Sequence, residues 1–417
     1  MTALATFIAV VLVSLVVGQS LLVWRFVSTL SKPPVDLLAD SDAPTATIVL
    51  CLRGTDPFLT DCLQGLATQD YPQFDVRIVI DSPDDPAHQI VERFMRGSGA
   101  NNIRVENLAE KSEHCSLKCS SLRQVMLSLD PECEIVAQLD ADTIAHPTWL
   151  RELATGLAPT DVGAATGNRW YMPNSYSIGS LVRYTWNAAA IVQMYWYEIA
   201  WGGTLALKTK VLRESDLLDK WALSFCEDTM LHAQLKKIGL RVAFVPSLMM
   251  INRENISLAS FMSWSTRQLI TAKLYHPAWP LVLLHGILST LFPLLAVILF
   301  IVAIIQQNYP IATTMGAVIV LVGLSWITSL WPMERAVRRI AARRGETTNW
   351  LTPWGTIKCL ASMAVTQLVY PLTLAGAVFT RATNWRGIEY RIDGPWRIHM
   401  QDYHPYSAAS EQVNESL

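Results

Sequence analysis

Apolar residues along this chain fall into two regimes. Near the ends they form long uninterrupted runs, and in the middle they alternate with polar residues at strand and helix periods. Residues 4–24 hold no charge, which suffices to cross the ~30 Å of bilayer hydrocarbon as one helix. Arg25 and Lys32 follow this run, and no positively charged segment precedes it. The pattern therefore predicts an uncleaved anchor whose C-terminal side faces the cytoplasm. Two further runs, 279–305 and 311–331, predict a returning hairpin of spans. A fourth, 355–380, contains Pro371, which leaves a full span and a re-entrant helix both open.

Between the anchor and the hairpin the periodicity predicts strands at 47–52, 75–80, near 103–105, at 134–137, 162–166 and 241–246. It predicts helices at 61–68, 88–95, 122–127, 146–157, 208–214, 230–239 and 257–274. Strands alternating with helices predict an α/β domain with a parallel sheet. The stretch 177–201 carries six Trp and Tyr residues among polar ones and reads as an amphipathic segment at the membrane surface. The expected organisation is an anchor at 1–32, an α/β domain at 44–275, a membrane region at 276–380 and a polar tail at 381–417.

Composition sharpens this picture. The 417 residues are 51% hydrophobic and 16% charged, below the ~25% charged of an ordinary soluble domain. A net charge of -2 gives no electrostatic footprint for nucleic acid. Seven cysteines form no scaffold pattern and read as reduced thiols. His114, Cys115 and Cys119 make half of a zinc site, with no second pair at a suitable spacing. Arg335, Arg338, Arg339, Arg343 and Arg344 place a loop after the hairpin in the cytoplasm.

The chemistry gathers at strand ends. Asp140 and Asp142 follow the strand at 134–137, and two carboxylates there can converge on a hard cation such as Mg²⁺ or Mn²⁺. The second strand runs into Asp81-Ser82-Pro83-Asp84-Asp85, a rigid acidic loop at the edge where open α/β sheets bind ligands. Lys118 stands where a turn opens a helix and can hold phosphate. Gly202-Gly203 marks a turn that backbone or ligand approaches closely. Glu227-Asp228 precedes a helix, and an Arg/Trp-bearing helix (Trp264, Arg267, Gln268) then leads into the membrane.

The order of these pieces resembles a membrane-bound family 2 glycosyltransferase and is most similar to ceramide glucosyltransferases. The shared runs are Leu52-Arg53-Gly54-Thr55-Asp56-Pro57, Asp70-Tyr71-Pro72 and Asp84-Asp85-Pro86-Ala87, and the likeness extends over residues 45–275. The resemblance implies a GT-A, Rossmann-like nucleotide-sugar fold. It implies that Asp81 or Asp84 contacts the nucleotide, with Arg53, Lys118 and Asp140 also on the donor. Asp140 and Asp142 would hold the divalent metal, and Asp228 would be the catalytic base with Arg267 beside it. Gly202, Gly203, Glu227 and Trp264 would lie on the acceptor side. The family's Gln/Arg-x-x-Arg-Trp motif here reads Trp264-Ser265-Thr266-Arg267-Gln268, keeping only its second arginine.

The chemistry fits these residues independently. Displacing a nucleoside diphosphate needs charge neutralisation at the leaving group and a base for the incoming hydroxyl. One base opposite the leaving group implies a single displacement with inversion. The anchor and hairpin point to a lipid acceptor, and the resemblance implies hexosyl transfer from UDP-glucose to ceramide or a related lipid. Diacylglycerol, a hopanoid, a polyprenyl phosphate or a growing polysaccharide are the alternative acceptors. A non-catalytic membrane scaffold is the rival from another class.

Overall fold

The computed structural model of the chain describes residues 1–406. Seven strands form one sheet: β1 (Ala46–Leu52), β2 (Phe74–Ile80), β3 (Ile103–Asn107), β4 (Ile135–Leu139), β5 (Val162–Tyr171), β6 (Thr204–Lys208) and β7 (Arg241–Asn252). Their order is β3-β2-β1-β4-β6-β5-β7. The first four run parallel, as alternating β and α signals require, whereas β6 is antiparallel to both β4 and β5. β6 had no predicted counterpart. It is a five-residue strand that directly follows the Gly202-Gly203 turn.

The helices are α1 (Thr2–Leu30), α2 (Leu59–Ala67), α3 (Ala87–Ser98), α4 (Leu117–Leu127), α5 (Trp149–Leu157), α6 (Ile178–Trp196), α7 (Thr209–Glu214), α8 (Leu217–Trp221), α9 (Leu231–Lys237), α10 (Leu258–Tyr275), α11 (Trp279–Ile305), α12 (Tyr309–Arg343) and α13 (Pro353–Phe379). Side chains alternate across the strands, so β1 sends Ile48, Leu50 and Leu52 to one face and Val49 to the other. The first face packs on α2 and α5. The second is continuous with α6, α10 and the inner ends of α12 and α13.

Four helices, α1, α11, α12 and α13, are long and apolar enough to cross a membrane. The basic stretch after the hairpin is not a loop but the continuation of α12. There Glu334 accepts hydrogen bonds from Trp170 Nε1 at 2.7 Å and Tyr184 OH at 2.9 Å, tying the helix to the sheet domain. The aromatic stretch 177–201 also departs from expectation. Most of α6 is buried between β5, α10 and α13, and Tyr184, Trp186 and Ile191 belong to the core. Its aromatics meet other protein surfaces: Trp186, for example, packs edge-on against Phe261, Trp264 and Tyr370.

α13 is one unbroken helix through Pro371. At its start the Thr352 N–H donates to Tyr176 OH at 3.2 Å, and at its end Lys273 Nζ donates to the carbonyls of Val378 and Ala377 at 2.7 and 3.0 Å. Both ends are thus held by the same α/β domain. The expected polar tail is folded as far as it is described. β8 (Ala382–Trp385), β9 (Ile388–Gly394) and β10 (Arg397–Met400) form an antiparallel sheet, so β7 is not the last strand. The remainder of that stretch, 407–417, lies outside the described residues.

Candidate active site

Sheet register assembles the site. Leu52 pairs with Ile80 and Leu50 with Leu139, so the residues that follow β1, β2 and β4 emerge along one edge: Arg53, Asp81 and Asp140. β6 enters the same edge from the opposite direction. Thr204 pairs with Leu139, which brings Gly203 against the Asp140 turn. A Cβ on Gly203 would collide with the Trp201 ring and approach Asp140 Oδ2 to 2.8 Å. A Cβ on Gly202 would overlap Glu227. Both glycines are therefore explained by close approach, at negative φ, and not by a left-handed backbone.

Lys118 occupies the centre. It lies in the first turn of α4, whose N-cap Ser116 accepts from Cys119 N–H, an earlier start than the 122–127 expected. Its Nζ reaches Asp140 Oδ1 and Glu227 Oε1, each at 2.7 Å. Burial opposes its charge, but Asp140, Glu227 and Asp228 outweigh that and hold the ammonium well above the ordinary lysine value. In turn Asp140 is held down, Lys118 overcoming the effect of burial. Asp142 is pushed up to about 7 by burial and by the nearby charges of Asp140, Asp56 and Glu254. Glu227 is also raised to about 7, by burial against the pull of Lys118.

Asp228 sits differently. Its Oδ2 accepts from Gly202 N–H at 2.8 Å, and its Oδ1 accepts from the backbone and hydroxyl of Thr229 at 2.6 and 2.9 Å. It does not cap the following helix: the N-cap of α9 is Met230, with no side-chain cap. The carboxylate is instead fixed at the rim of the cavity, beside Lys118 and Glu227.

The structure separates the two candidates in the acidic loop. Asp81 lines the cavity, 2% exposed, ion-paired to Arg53 and accepting from Tyr403 OH at 3.3 Å, with its Oδ1 buried and unpartnered. Burial pushes its pKa above the ordinary carboxylate value, against the pull of Arg53. Asp84 is exposed and lies outside the cavity. The neighbouring Asp85 holds the loop, accepting from Gly54 N–H at 2.8 Å and Ala87 N–H at 2.9 Å.

Three residues were given no role by the sequence reading. Arg386 stands at the tip of the β8–β9 hairpin, where φ is +48° at Arg386 and +83° at Gly387. Positive φ at both residues of a two-residue loop is the signature of a type I′ turn. Its Nη2 bonds both oxygens of buried Asp56 at 2.8 Å, and its Nη1 donates to the Arg53 carbonyl at 2.9 Å. Burial disfavours its charge, but Asp56, Asp142 and Asp140 hold the guanidinium firmly protonated. Arg169 lies over the rings of Trp264 and Trp201 at 4.7 and 5.3 Å. Sequence signals existed for Arg386: residues 388–393 alternate apolar and charged behind an Arg-Gly pair. Asp56 stood within the Leu52–Pro57 run, and Arg169 lies on the part of β5 beyond its predicted end.

Arg267 lies over the Trp385 ring at 5.4 Å. Burial, then the like charges of Arg386 and Arg169, push it down to about 9, so a neutral-pH site still presents three guanidinium groups to an anion. Trp264, 2% exposed, packs on Tyr171 and Trp186.

Arg53, Asp81, Lys118, Asp140, Asp142, Arg169, Glu227, Asp228, Trp264, Arg267 and Arg386 line one cavity of about 420 Å³, which continues between α1, α11, α12 and α13, whereas Asp56, Asp84, Gly202 and Gly203 do not line it. Two of its carboxylates, Asp140 and Asp142, offer oxygen ligands of the kind a hard divalent ion takes. Among the described residues no third carboxylate, His or Cys completes a metal-binding group, and Mg²⁺ is commonly held by one or two carboxylates together with substrate phosphate and water. Burial first, and then the charges of Asp140, Asp56 and Glu254, make the Asp142 carboxyl harder to ionise, a penalty that a bound cation would relieve.

The chain is 28% identical over 107 residues to a ceramide glucosyltransferase of Gibberella zeae, a match spanning 25% of this chain and 20% of that enzyme. Among solved structures it is similar to mannosyltransferase PcManGT from Pyrobaculum calidifontis in complex with GDP-Man and Mn²⁺. That match has 18% identity, a TM-score of 0.49, and coverage of 90% of this chain and 99% of that one. It is also similar to glucosyl-3-phosphoglycerate synthase from Mycobacterium tuberculosis in complex with Mn²⁺, UDP and glucosyl-3-phosphoglycerate, at 14% identity and a TM-score of 0.39 over 58% of this chain and 85% of that one. The family model for glycosyl transferase family 21 matches residues 5–396, nearly the whole described chain. With its mixed α/β sheet of GT-A type and its carboxylates at the strand edge, this chain belongs to glycosyltransferase family 21.

Proposed function

We propose that this glycosyltransferase moves glucose from UDP-glucose to the hydroxyl of a ceramide-type membrane lipid, with inversion, at the cytoplasmic face. One observation carries the reading. The cavity that holds Asp140, Lys118 and Asp228 extends without a break to Leu12 and Val16 of α1, Pro293 of α11 and Trp326 of α12. A nucleotide sugar can enter at the polar end and lipid chains at the apolar one. The partial match to a ceramide glucosyltransferase supports the same acceptor and hexose.

In this reading Asp81 faces the nucleoside, using its unpartnered Oδ1, while Arg386, Arg267 and Arg169 surround the diphosphate. Asp140 and Asp142 would hold the Mg²⁺ or Mn²⁺. When bound, that ion neutralises charge on the diphosphate. Asp228 accepts the proton of the lipid hydroxyl as its oxygen bonds the anomeric carbon. The bond from that carbon to the diphosphate breaks, and its electron pair leaves with the nucleoside diphosphate. The Gly202 N–H and Thr229 fix the Asp228 oxygens for this step. Glu227 holds Lys118 in place.

The arginine-rich end of α12 supports a cytoplasmic domain. α1, α11 and α12 cross the bilayer. α13 lies along the domain's membrane side, since both its ends are bonded to that domain and β8 returns to the active site. The basic residues after α13, Arg381, Arg386, Arg391 and Arg397, then stay on the cytoplasmic side with the domain.

Asp228→Asn tests the assignment. The amide cannot take a proton, so transfer should fall by at least about 100-fold while donor binding stays within twofold of wild type. Undiminished transfer to lipid would sink Asp228 as the base.

A further inference from the structure

Deep in the membrane half of the cavity stand polar side chains that the transfer chemistry does not use. Gln193 of α6 and His285 of α11 both line it, and Gln193 Nε2 lies 2.7 Å from His285 Nδ1. Among the described residues this is the one hydrogen bond of the His285 side chain. Gln367 of α13 lines the same space, and its amide oxygen is buried without a partner. The three elements converge: a side chain at Gly286, beside His285, would meet the Tyr370 hydroxyl at 3.0 Å, and Tyr370 is one turn from Gln367. Polar side chains in apolar surroundings are costly unless something pairs with them. The Gln193–His285 bond alone could be interhelical glue. The unpartnered Gln367 oxygen cannot.

We propose that Gln193, His285 and Gln367 form a hydrogen-bonding subsite for the backbone of the acceptor, selecting a lipid that carries an amide N–H or a second hydroxyl. This rests on the lipid-acceptor reading above. The selection follows from donor counting. A buried acceptor atom needs a donor, and the reacting hydroxyl is committed to Asp228. A diacylglycerol or a sterol alcohol has no other donor, and a fully ionised polyprenyl phosphate has none. An N-acyl amino diol keeps both an amide N–H and a further hydroxyl. The subsite therefore discriminates by leaving its own groups unpaired when the wrong lipid is bound, which is a strong form of selection. No lysine or arginine from α1, α11, α12 or α13 lines the cavity, so nothing in that half favours an anionic lipid backbone.

The test uses the full-length protein in membranes, with UDP-glucose as donor and short-chain ceramide and diacylglycerol as acceptors. Wild type should prefer ceramide. Gln367→Leu should raise KM for ceramide about tenfold, the value of one neutral hydrogen bond, leave KM for UDP-glucose within twofold, and move the ceramide-to-diacylglycerol preference toward one. His285→Phe should do the same. If that variant fails to fold, Gln367→Leu still decides, because the Gln367 oxygen has no protein partner to lose. Equal losses on both acceptors, or a shifted donor KM, would assign these residues to packing and overturn the subsite. A wild-type protein that transfers glucose to no lipid would overturn the acceptor reading and the subsite together. Variants that keep the wild-type preference for ceramide, beside an active wild type, would overturn the subsite alone.

Discussion

Arg386→Gln is the perturbation that separates a structural from an electrostatic role at the hairpin. Asp56 is 5% exposed and receives two 2.8 Å bonds from Arg386. Removing one partner of a buried pair leaves the other charge uncompensated, at ~3–5 kcal/mol. The Arg386 side chain is 23% exposed, so solvent moderates the loss and the low end, about 3 kcal/mol, is expected. Losing one preorganised charge that stabilises the departing diphosphate costs ~10²–10³ in kcat. The double variant Asp56→Asn/Arg386→Gln distinguishes the two effects. Two amides can bond each other, so stability should return to within ~1 kcal/mol of wild type, while turnover stays down by about 100-fold. Thermal unfolding in detergent and steady-state transfer to ceramide measure both quantities. A double variant with full turnover would show that Arg386 only fastens the hairpin. A single variant with wild-type stability would refute the argument from burial.

The other expectations concern packing and protonation. Gly202→Ala places a methyl group into Glu227, with Lys118 Nζ at 3.1 Å and Asp228 Oδ2 at 3.2 Å. It should cost ~1–3 kcal/mol and more than tenfold in kcat, and wild-type kinetics would show that the turn is not tight. His146 and His276 are held neutral by burial, pushed down to about 3 and about 4, with Arg344 adding to the first and His232 to the second. A histidine whose folded value is depressed stabilises the fold above its unfolded value of ~6.5 and loses that contribution as pH falls. Each should therefore cost ~2 kcal/mol between pH 6.5 and 5. His276→Gln should flatten that slope, and an unchanged slope would contradict the assignment.

The sheet edge was legible because β1 and β4 are largely apolar, β2 ends in Ile78-Val79-Ile80, and the three stop abruptly at Arg53, Asp140 and Asp81. A buried parallel strand needs such a run, and its C-terminal edge is the site. Less could be read where tertiary contacts decide. Asp81 and Asp84 stood equally well after a strand, and only the fold shows Asp81 buried in the cavity and Asp84 in solvent. The aromatic content of α6 suits a lipid boundary and a protein core alike, and packing against α10 and α13 makes it core. β6 is too short and too uniformly buried to show a period. The C-terminal hairpin carried an alternating pattern, but its 330-residue separation from Asp56 lies beyond any local signal. α13 was ambiguous for a physical reason: composition fixes that a helix prefers lipid, whereas the bonds at Tyr176 and Lys273 fix where its ends stay.

The central claim is that Asp140 and its neighbours transfer a sugar to a membrane lipid. It is tested most directly by incubating membranes containing the protein with labelled UDP-glucose, ceramide and Mn²⁺ or Mg²⁺. The account predicts a labelled, organic-extractable product that disappears with a chelator and in Asp140→Ala. A product that persists in Asp140→Ala with chelator present, or its absence from the wild type with every nucleotide sugar offered, would contradict it.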